Sequence, residues 1–165
     1  KMLVLRNIKR EDLDFLYNVE NNPANMVCGD YHEPYSLEIL QDYIANALIS
    51  LFVSGQYRYV IEKNKIAIGF LDLFNYNAQD ASASVGIILD TAFRGQALAK
   101  VALTLLEHEV KNKWGIERLR AKVFLDNTIS ISLFRRLGYE EIKHCLEKDY
   151  EGVTKKVLIS EKILK

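Results

Sequence analysis

Residues 85–100 read Val85-Gly86-Ile87-Ile88-Leu89-Asp90-Thr91-Ala92-Phe93-Arg94-Gly95-Gln96-Ala97-Leu98-Ala99-Lys100. The apolar run at the front is a buried strand, and the small residues after Arg94 open a helix. The first N–H groups of a helix have no internal partner, and the helix dipole is positive there. Small side chains let a ligand reach that backbone, and an arginine adds charge. The junction Arg94-Gly95-Gln96-Ala97-Leu98-Ala99 therefore suits an anion such as a phosphate, although taken alone it reads as readily as an ordinary helix start with small residues for packing. It is not a Walker loop, because no Gly-Lys-Ser/Thr follows. It is not a dinucleotide fingerprint either, because Gly86 falls inside the strand and no glycine triplet occurs.

Working outward, three strands precede the helix. The two-residue period predicts Tyr57–Lys63, Ile66–Asn75 and Ser82–Leu89 as an antiparallel meander, with a tight turn at Lys63-Asn64-Lys65. Upstream come a first strand over Met2–Ile8 and a helix over Glu11–Glu20, stopped by Asn21-Asn22-Pro23. Ser36 is an N-cap, and the apolar positions Leu37, Leu40, Tyr43, Ile44, Ala47, Leu48 and Leu51 predict one helical face behind it. Downstream, Gln96–Lys113 is a helix with Leu98, Val101, Ala102, Leu105 and Leu106 inward, closed by Gly115. A strand over Leu119–Leu125, a short helix over Asn127–Leu137 ended by Gly138, and a hairpin of Tyr139–Lys148 and Val153–Leu164 follow. The expected fold is one α/β (α+β) domain over residues 1–165. Its mixed, mostly antiparallel sheet has about seven strands, flanked by about four helices.

The chain has 165 residues, 49% hydrophobic and 27% charged, which suits a soluble globular protein. Its formal net charge is zero, which argues against nucleic acid as a partner. Lys1–Arg10 has no signal-peptide core, and no apolar run is long enough to span a bilayer. Cys28 and Cys145 are the only cysteines and lack ligand spacing; a reducing, cytoplasmic setting follows. His32, His108 and His144 show no metal-ligand spacing. Charge is uneven: residues 1–82 carry −4 and residues 83–165 carry +4. That split suits a cationic ligand toward the first half and an anionic one toward the second, unless it is ordinary surface scatter.

A second stretch follows the anion loop in fixed order: Val123-Phe124-Leu125-Asp126-Asn127-Thr128-Ile129-Ser130-Ile131-Ser132-Leu133-Phe134-Arg135-Arg136-Leu137-Gly138-Tyr139. With it, nearly the whole chain resembles the GNAT superfamily of acetyl-CoA-dependent N-acetyltransferases. Arg94–Ala99 matches the family's Arg/Gln-x-x-Gly-x-Gly/Ala phosphate loop, with Ala97 where the central glycine usually stands. Asn127, Ser130, Leu133, Phe134, Gly138 and Tyr139 match the later pattern. The opening residues resemble the ribosomal-protein and amino-sugar acetyltransferases. The Glu33-Pro34-Tyr35 loop and Ile68–Leu73 resemble the bacterial spermidine acetyltransferases, which typically carry a glutamate where Ser84 stands.

The resemblance implies direct attack of an amine on the thioester of acetyl-CoA, with no metal. It implies a bulge that splays the strand before the loop, an oxyanion donor on the backbone near Ile88, and pantetheine paired along Ile87, Ile88 and Leu89. Arg94, Gly95, Gln96, Ala97, Leu98, Ala99 and Lys100 would cradle the phosphates. Arg135 and Arg136 could add to them. Asn127 would bond pantetheine or cap its helix. Phe134 stands where many relatives have a tyrosine that protonates the leaving thiolate; Ser130, water or no acid would serve instead. Asp72 is the first candidate for the base, then Glu33 and Glu20. Tyr31 and Tyr35 could line an acceptor slot. The acceptor is a small amine (a polyamine or amino sugar) or a protein N-terminus. An unpaired sheet edge or the final hairpin could form a homodimer. The alternative is a weak or inactive GNAT-fold module that only binds acyl-CoA.

Overall fold

The computed structural model describes residues 3–25, 32–95, 97–149 and 151–165. Cys28, Tyr31 and Gln96, singled out above, lie outside them. Among the described residues seven strands run β1 (Leu3–Asn7), β2 (Tyr57–Lys63), β3 (Ile66–Asn77), β4 (Ser82–Leu89), β5 (Arg118–Phe124), β6 (Glu140–Lys148) and β7 (Thr154–Ile163). Their order in one sheet is β1-β2-β3-β4-β5-β7-β6. Among the described residues the helices are α1 (Leu13–Glu20), α2 (Leu37–Ala45), α3 (Leu51–Ser54), α4 (Leu98–Trp114) and α5 (Thr128–Arg136).

The meander forms as its pattern requires. Asn64 and Lys65 both take positive φ, 50° and 69°, the backbone a two-residue hairpin needs. All strand pairs are antiparallel except β4 and β5, which run parallel and pair only over Ser82–Ser84 with Arg118–Arg120. Beyond that point β4 stays with β3 through Leu89 opposite Gly69. Meanwhile β5 stays with β7 through Phe124 opposite Val157. The sheet therefore opens between β4 and β5. The expected splay is present, but the β3–β4 register is unbroken from Gly69 to Phe74; the irregularity falls at Phe74–Asn77 instead.

Arg120 clasps the closed end. It donates to Asp80 (2.8 Å), Glu161 (2.8 Å) and the Ser82 hydroxyl (3.2 Å), which ties β5 to the start of β4 and to β7.

Two apolar layers cover the sheet. Under α1 and α2 lie Ile8, Leu16, Val19, Leu40, Val60 and Phe70. The larger core, on the α4 side, includes Leu71, Leu73, Val85, Leu103, Leu106 and Trp114. Complete burial of such a side chain contributes roughly 1.5–3 kcal/mol.

Two helix readings need correction. The single helix expected behind Ser36 is two. Ser36 caps α2 by accepting from Ile39 N–H at 3.1 Å, but Asn46 turns back onto the Asp42 carbonyl at 2.8 Å and Ser50 caps a new turn at Phe52 N–H, 3.2 Å. Short polar side chains that bond the backbone end helices in this way. Leu37 and Leu48, which the pattern put inward, are exposed, and Tyr43 is only partly covered, its ring beneath the Arg58 guanidinium. In α4 the buried stripe is Ala102, Leu103, Leu106, Val110 and Trp114. Val101, expected inward, is exposed, because the face packed on the sheet is centred on Ala102, Leu103, Leu106 and Val110 and is turned from the one expected.

Gly69 has no alternative at its place. A Cβ there would lie 2.3 Å from the Ile88 carbonyl oxygen and 3.2 Å from Leu89 Cα. Gly69→Ala should cost about 1–3 kcal/mol, the range for overpacking. The readout is the midpoint of denaturant unfolding, with a fall expected and an unchanged slope.

Candidate active site

The open seam exposes the backbone of β4. Asp90 N–H donates to the Ile68 carbonyl at 2.8 Å, which fixes the phase of the β3–β4 ladder. An antiparallel ladder alternates, so Gly86 and Ile88 turn their amides to β3, whereas Ile87 and Leu89 turn theirs into the seam. Of the backbone N–H groups near Ile88, where an oxyanion donor was expected, those of Ile87 and Leu89 point this way. Arg94 Nε donates to the Leu89 carbonyl at 3.1 Å, which leaves the Ile87 and Leu89 N–H groups and the Ile87 carbonyl along the gap. Arg94 also reaches Asn25 Oδ1 at 2.9 Å, so it braces the loop as well as charging it.

The loop delivers the start of α4 to the mouth of the seam. Gly95 and Ala97 both adopt left-handed backbone, φ 76° and 60°. Neither is covered: both are exposed, as is Lys100, while Leu98 and Ala99 are half-buried. Ala97 occupies the N-cap with no side-chain cap, so the first amides of the helix remain available.

Across the seam, Asn127 caps α5 through Ser130 N–H at 3.2 Å. Capping, one of the two roles expected of it, is the one present; its amide nitrogen remains for a ligand. Ser130 is half-buried. Phe134, expected at the cofactor, is corrected to a core residue. It is 6% exposed and its ring packs edge-on against Tyr139 at 5.0 Å. The Tyr139 hydroxyl is buried without a partner, and burial, then Glu107, pushes its pKa up. Neither ring supplies a proton to the seam. Arg135 pairs with Glu141 at 3.1 Å on the exposed side of α5.

The α1–α2 side of the sheet carries a charge cluster centred on a residue the sequence did not signal, Arg58. Its guanidinium donates through Nε and Nη2 to both oxygens of Asp72, and through Nη1 to Glu20 at 2.7 Å. It lies over the rings of Phe70 (4.7 Å) and Tyr43 (5.7 Å). Burial pulls the Arg58 pKa down, but Asp72 and Glu20 outweigh it and keep the group charged. Burial also raises the Tyr43 hydroxyl's pKa, against the pull of Arg58. Asp72, the first candidate for the base, therefore has both oxygens engaged. It is corrected to the carboxylate that anchors Arg58. Asp72 lies opposite Gly86 on β4, so the cluster adjoins the strand whose amides face the seam.

Glu33 is exposed on the loop before α2, beside His32 and Tyr35. Among the described residues, no hydrogen bond joins Ser130 to Asp72. Ser84 is half-buried at the last β4–β5 rung, opposite Arg120.

A parallel-strand gap lined by free amides, with a bare helix start at its mouth, fits a nucleotide-carried acyl thioester: the thioester arm lies in the gap and the phosphates lie at the helix. An acid cluster on the adjoining face suits an amine acceptor. This is the site of an acyltransferase. Residues 2–140 match the acetyltransferase (GNAT) domain family, and the chain belongs to it. It is an acetyl-CoA-dependent N-acetyltransferase. The spermidine N(1)-acetyltransferase of Vibrio cholerae is 24% identical over 98% of this chain and 95% of its own. That of Escherichia coli K12 is 26% identical over 82% and 71%. Among solved structures, the Vibrio cholerae spermidine N-acetyltransferase in complex with CoA and spermine superposes with a TM-score of 0.84 at 24% identity, covering 98% of this chain and 95% of that one. A dodecameric structure of the same enzyme, in an intermediate state, gives 0.81 at 23%, covering 98% and 94%. These likenesses show the fold.

Among the described residues no helix is long and apolar enough to cross a membrane, and no three His, Cys, Asp or Glu side chains gather as metal ligands.

Left-handed backbone costs a residue with a Cβ about 1–2 kcal/mol, part of which glycine gives back as unfolded-chain entropy. Ala97→Gly should therefore raise the melting temperature by up to about 2–4 °C. Thermal melting with and without acetyl-CoA checks this, and the shift given by acetyl-CoA should persist in the variant.

Proposed function

We propose that the chain acetylates a polyamine of the spermidine type, and that residues 1–165 act as one domain. The observation that carries the acceptor reading is the Glu20–Arg58–Asp72 cluster. Two carboxylates share one guanidinium, which leaves a net negative charge beside β4. Tyr43 lies over the same group, and Glu33 stands on the neighbouring loop. Such a surface draws a polycation and offers little to a neutral sugar ring. The curated relatives, both spermidine acetyltransferases, support the same choice over an amino sugar or a protein N-terminus.

The donor side follows from the seam. Pantetheine pairs with Ile87 and Leu89 as an added strand. The Ile87 amide meets the developing oxyanion. The phosphates lie against Gly95, Ala97, Leu98 and Ala99, with Lys100 and the remaining Arg94 donor adding charge. Gln96 belongs to the same loop. Asn127 Nδ2 reaches pantetheine from across the seam. With Phe134 in the core, Ser130 or water protonates the thiolate.

Supply of acetyl-CoA and the free thiol of Cys145 suit the cytoplasm. The chain self-associates: Leu48, Phe52 and Val53 on the α2–α3 side, and Leu146 on the edge strand β6, are 55–79% exposed.

Thiol release should be at least tenfold faster per unit kcat/KM with spermidine than with glucosamine or an N-terminal peptide. No release with any amine, alongside a normal acetyl-CoA thermal shift, would return the chain to the binding-module alternative. Gly95→Glu should remove that shift by placing a carboxylate against the phosphates.

A further inference from the structure

The acceptor must lose a proton before it attacks, and Asp72 is occupied. The same cluster holds a second proton-accepting group. Asn21 clamps the loop stem by a pair of bonds to Tyr35: Tyr35 N–H donates to Asn21 Oδ1 at 2.7 Å, and Asn21 Nδ2 donates to the Tyr35 carbonyl at 3.1 Å. The Tyr35 ring carries the His32 imidazole stacked upon it, centroids 4.0 Å apart and planes 21° from parallel. His32 Nδ1–H donates to the Glu33 carbonyl at 2.7 Å. That bond fixes the tautomer and turns the lone pair of Nε2 toward Glu20 Oε1, 3.9 Å away. Glu20 Oε2 is held by Arg58, so Oε1 is the oxygen left facing His32.

A gap of 3.9 Å is too long for a direct hydrogen bond and of a size that one ammonium group bridges. We propose that His32, paired with Glu20, is the base that takes the proton from the acceptor amine, with Arg58 as the positioning residue that aims Glu20. This rests on the amine-acetylation reading above. The groups facing His32 are Glu20 from α1, Arg58 from β2 beyond it, and Glu33 and Tyr35 from its own loop; Asp72 and Tyr43 complete the cluster around Arg58. Glu20 steadies the imidazolium once it forms, as a carboxylate does for a catalytic histidine.

The proton count closes. The ammonium gives one proton to Nε2 and becomes the amine. Its lone pair forms the N–C bond, and the C=O electron pair moves to oxygen beside the Ile87 amide. Collapse restores C=O and breaks C–S. The thiolate leaves with the C–S electron pair, and the second proton passes to it from nitrogen through Ser130 or water. The imidazolium returns its proton to water. The sum is ammonium plus acetyl-CoA giving amide, CoA thiol and one proton.

The test compares wild type with His32→Gln, His32→Gly and Glu20→Gln, using spermidine and the monoamine butylamine as acceptors. In His32→Gln, kcat should fall about 100-fold or more, the usual worth of a general base. KM for acetyl-CoA should hold, and the acidic limb of the wild-type kcat/KM profile should vanish. Added imidazole should restore rate to His32→Gly, which a merely structural role would not allow. Glu20→Gln should lower kcat less and raise acceptor KM. An unchanged pH profile and kcat within threefold of wild type in His32→Gln would overturn the proposal while leaving the acetylation reading intact. Wild type that releases no thiol with either amine would overturn both.

Discussion

Three residue pairs decide how this molecule works. β4 and β5 are hydrogen-bonded only at Ser82–Ser84, and Arg120 holds that end shut. A fully paired sheet would leave no free amides in its middle. Because each strand follows its outer neighbour instead, β4 keeps its bonds to β3 and β5 keeps its bonds to β7. Backbone amides left unpaired along that gap are satisfied by water or by a ligand. The opening therefore offers a row of donors to a ligand, and the helix start at Gly95–Ala99 places positive dipole at its mouth.

The two faces of the sheet divide the labour. The α4 side is a continuous apolar core that holds β4 rigid from below. The α1–α2 side carries one buried guanidinium and its carboxylates. A buried arginine is tolerated only when paired on several sides, and breaking such a group costs several kcal/mol. Arg58 therefore locks α1 to β2 and β3 while it sets the direction of Glu20. The same contacts that stabilise this layer hold the carboxylates assigned above to the proposed acceptor side.

Much of the fold was legible in sequence because local rules were obeyed. Ser36 caps, Gly115 ends α4 in left-handed backbone, and Asn64-Lys65 turns the hairpin. The meander strands are buried on both faces, with Val60 and Phe70 toward α1 and α2 and Leu71 and Leu73 toward α4. The misreadings have physical causes. Asn46 and Ser50 break a helix whose apolar spacing runs on through them, since side-chain bonds to backbone outweigh periodicity there. Two apolar rows of α4 fit the helical period, one through Leu98, Val101 and Leu105 and one through Ala102, Leu103, Leu106 and Val110, and packing on the sheet selects the second.

At the site, residue types and spacing determined the donor half: a strand, an anion loop, a helix start and an asparagine at the next strand's end. Those features are local in the chain, so the sequence carries them. The proposed acceptor half was decided by tertiary structure. Glu20, His32, Arg58 and Asp72 come from α1, a loop, β2 and β3, and no spacing links them. Asp72 looked open in sequence because its partner lies on another strand. His32 looked idle because its stacking and its carbonyl bond arise only when the loop closes on Asn21. Ionic and hydrogen-bonding roles depend on which groups meet across the fold, and that is set by packing rather than by order along the chain.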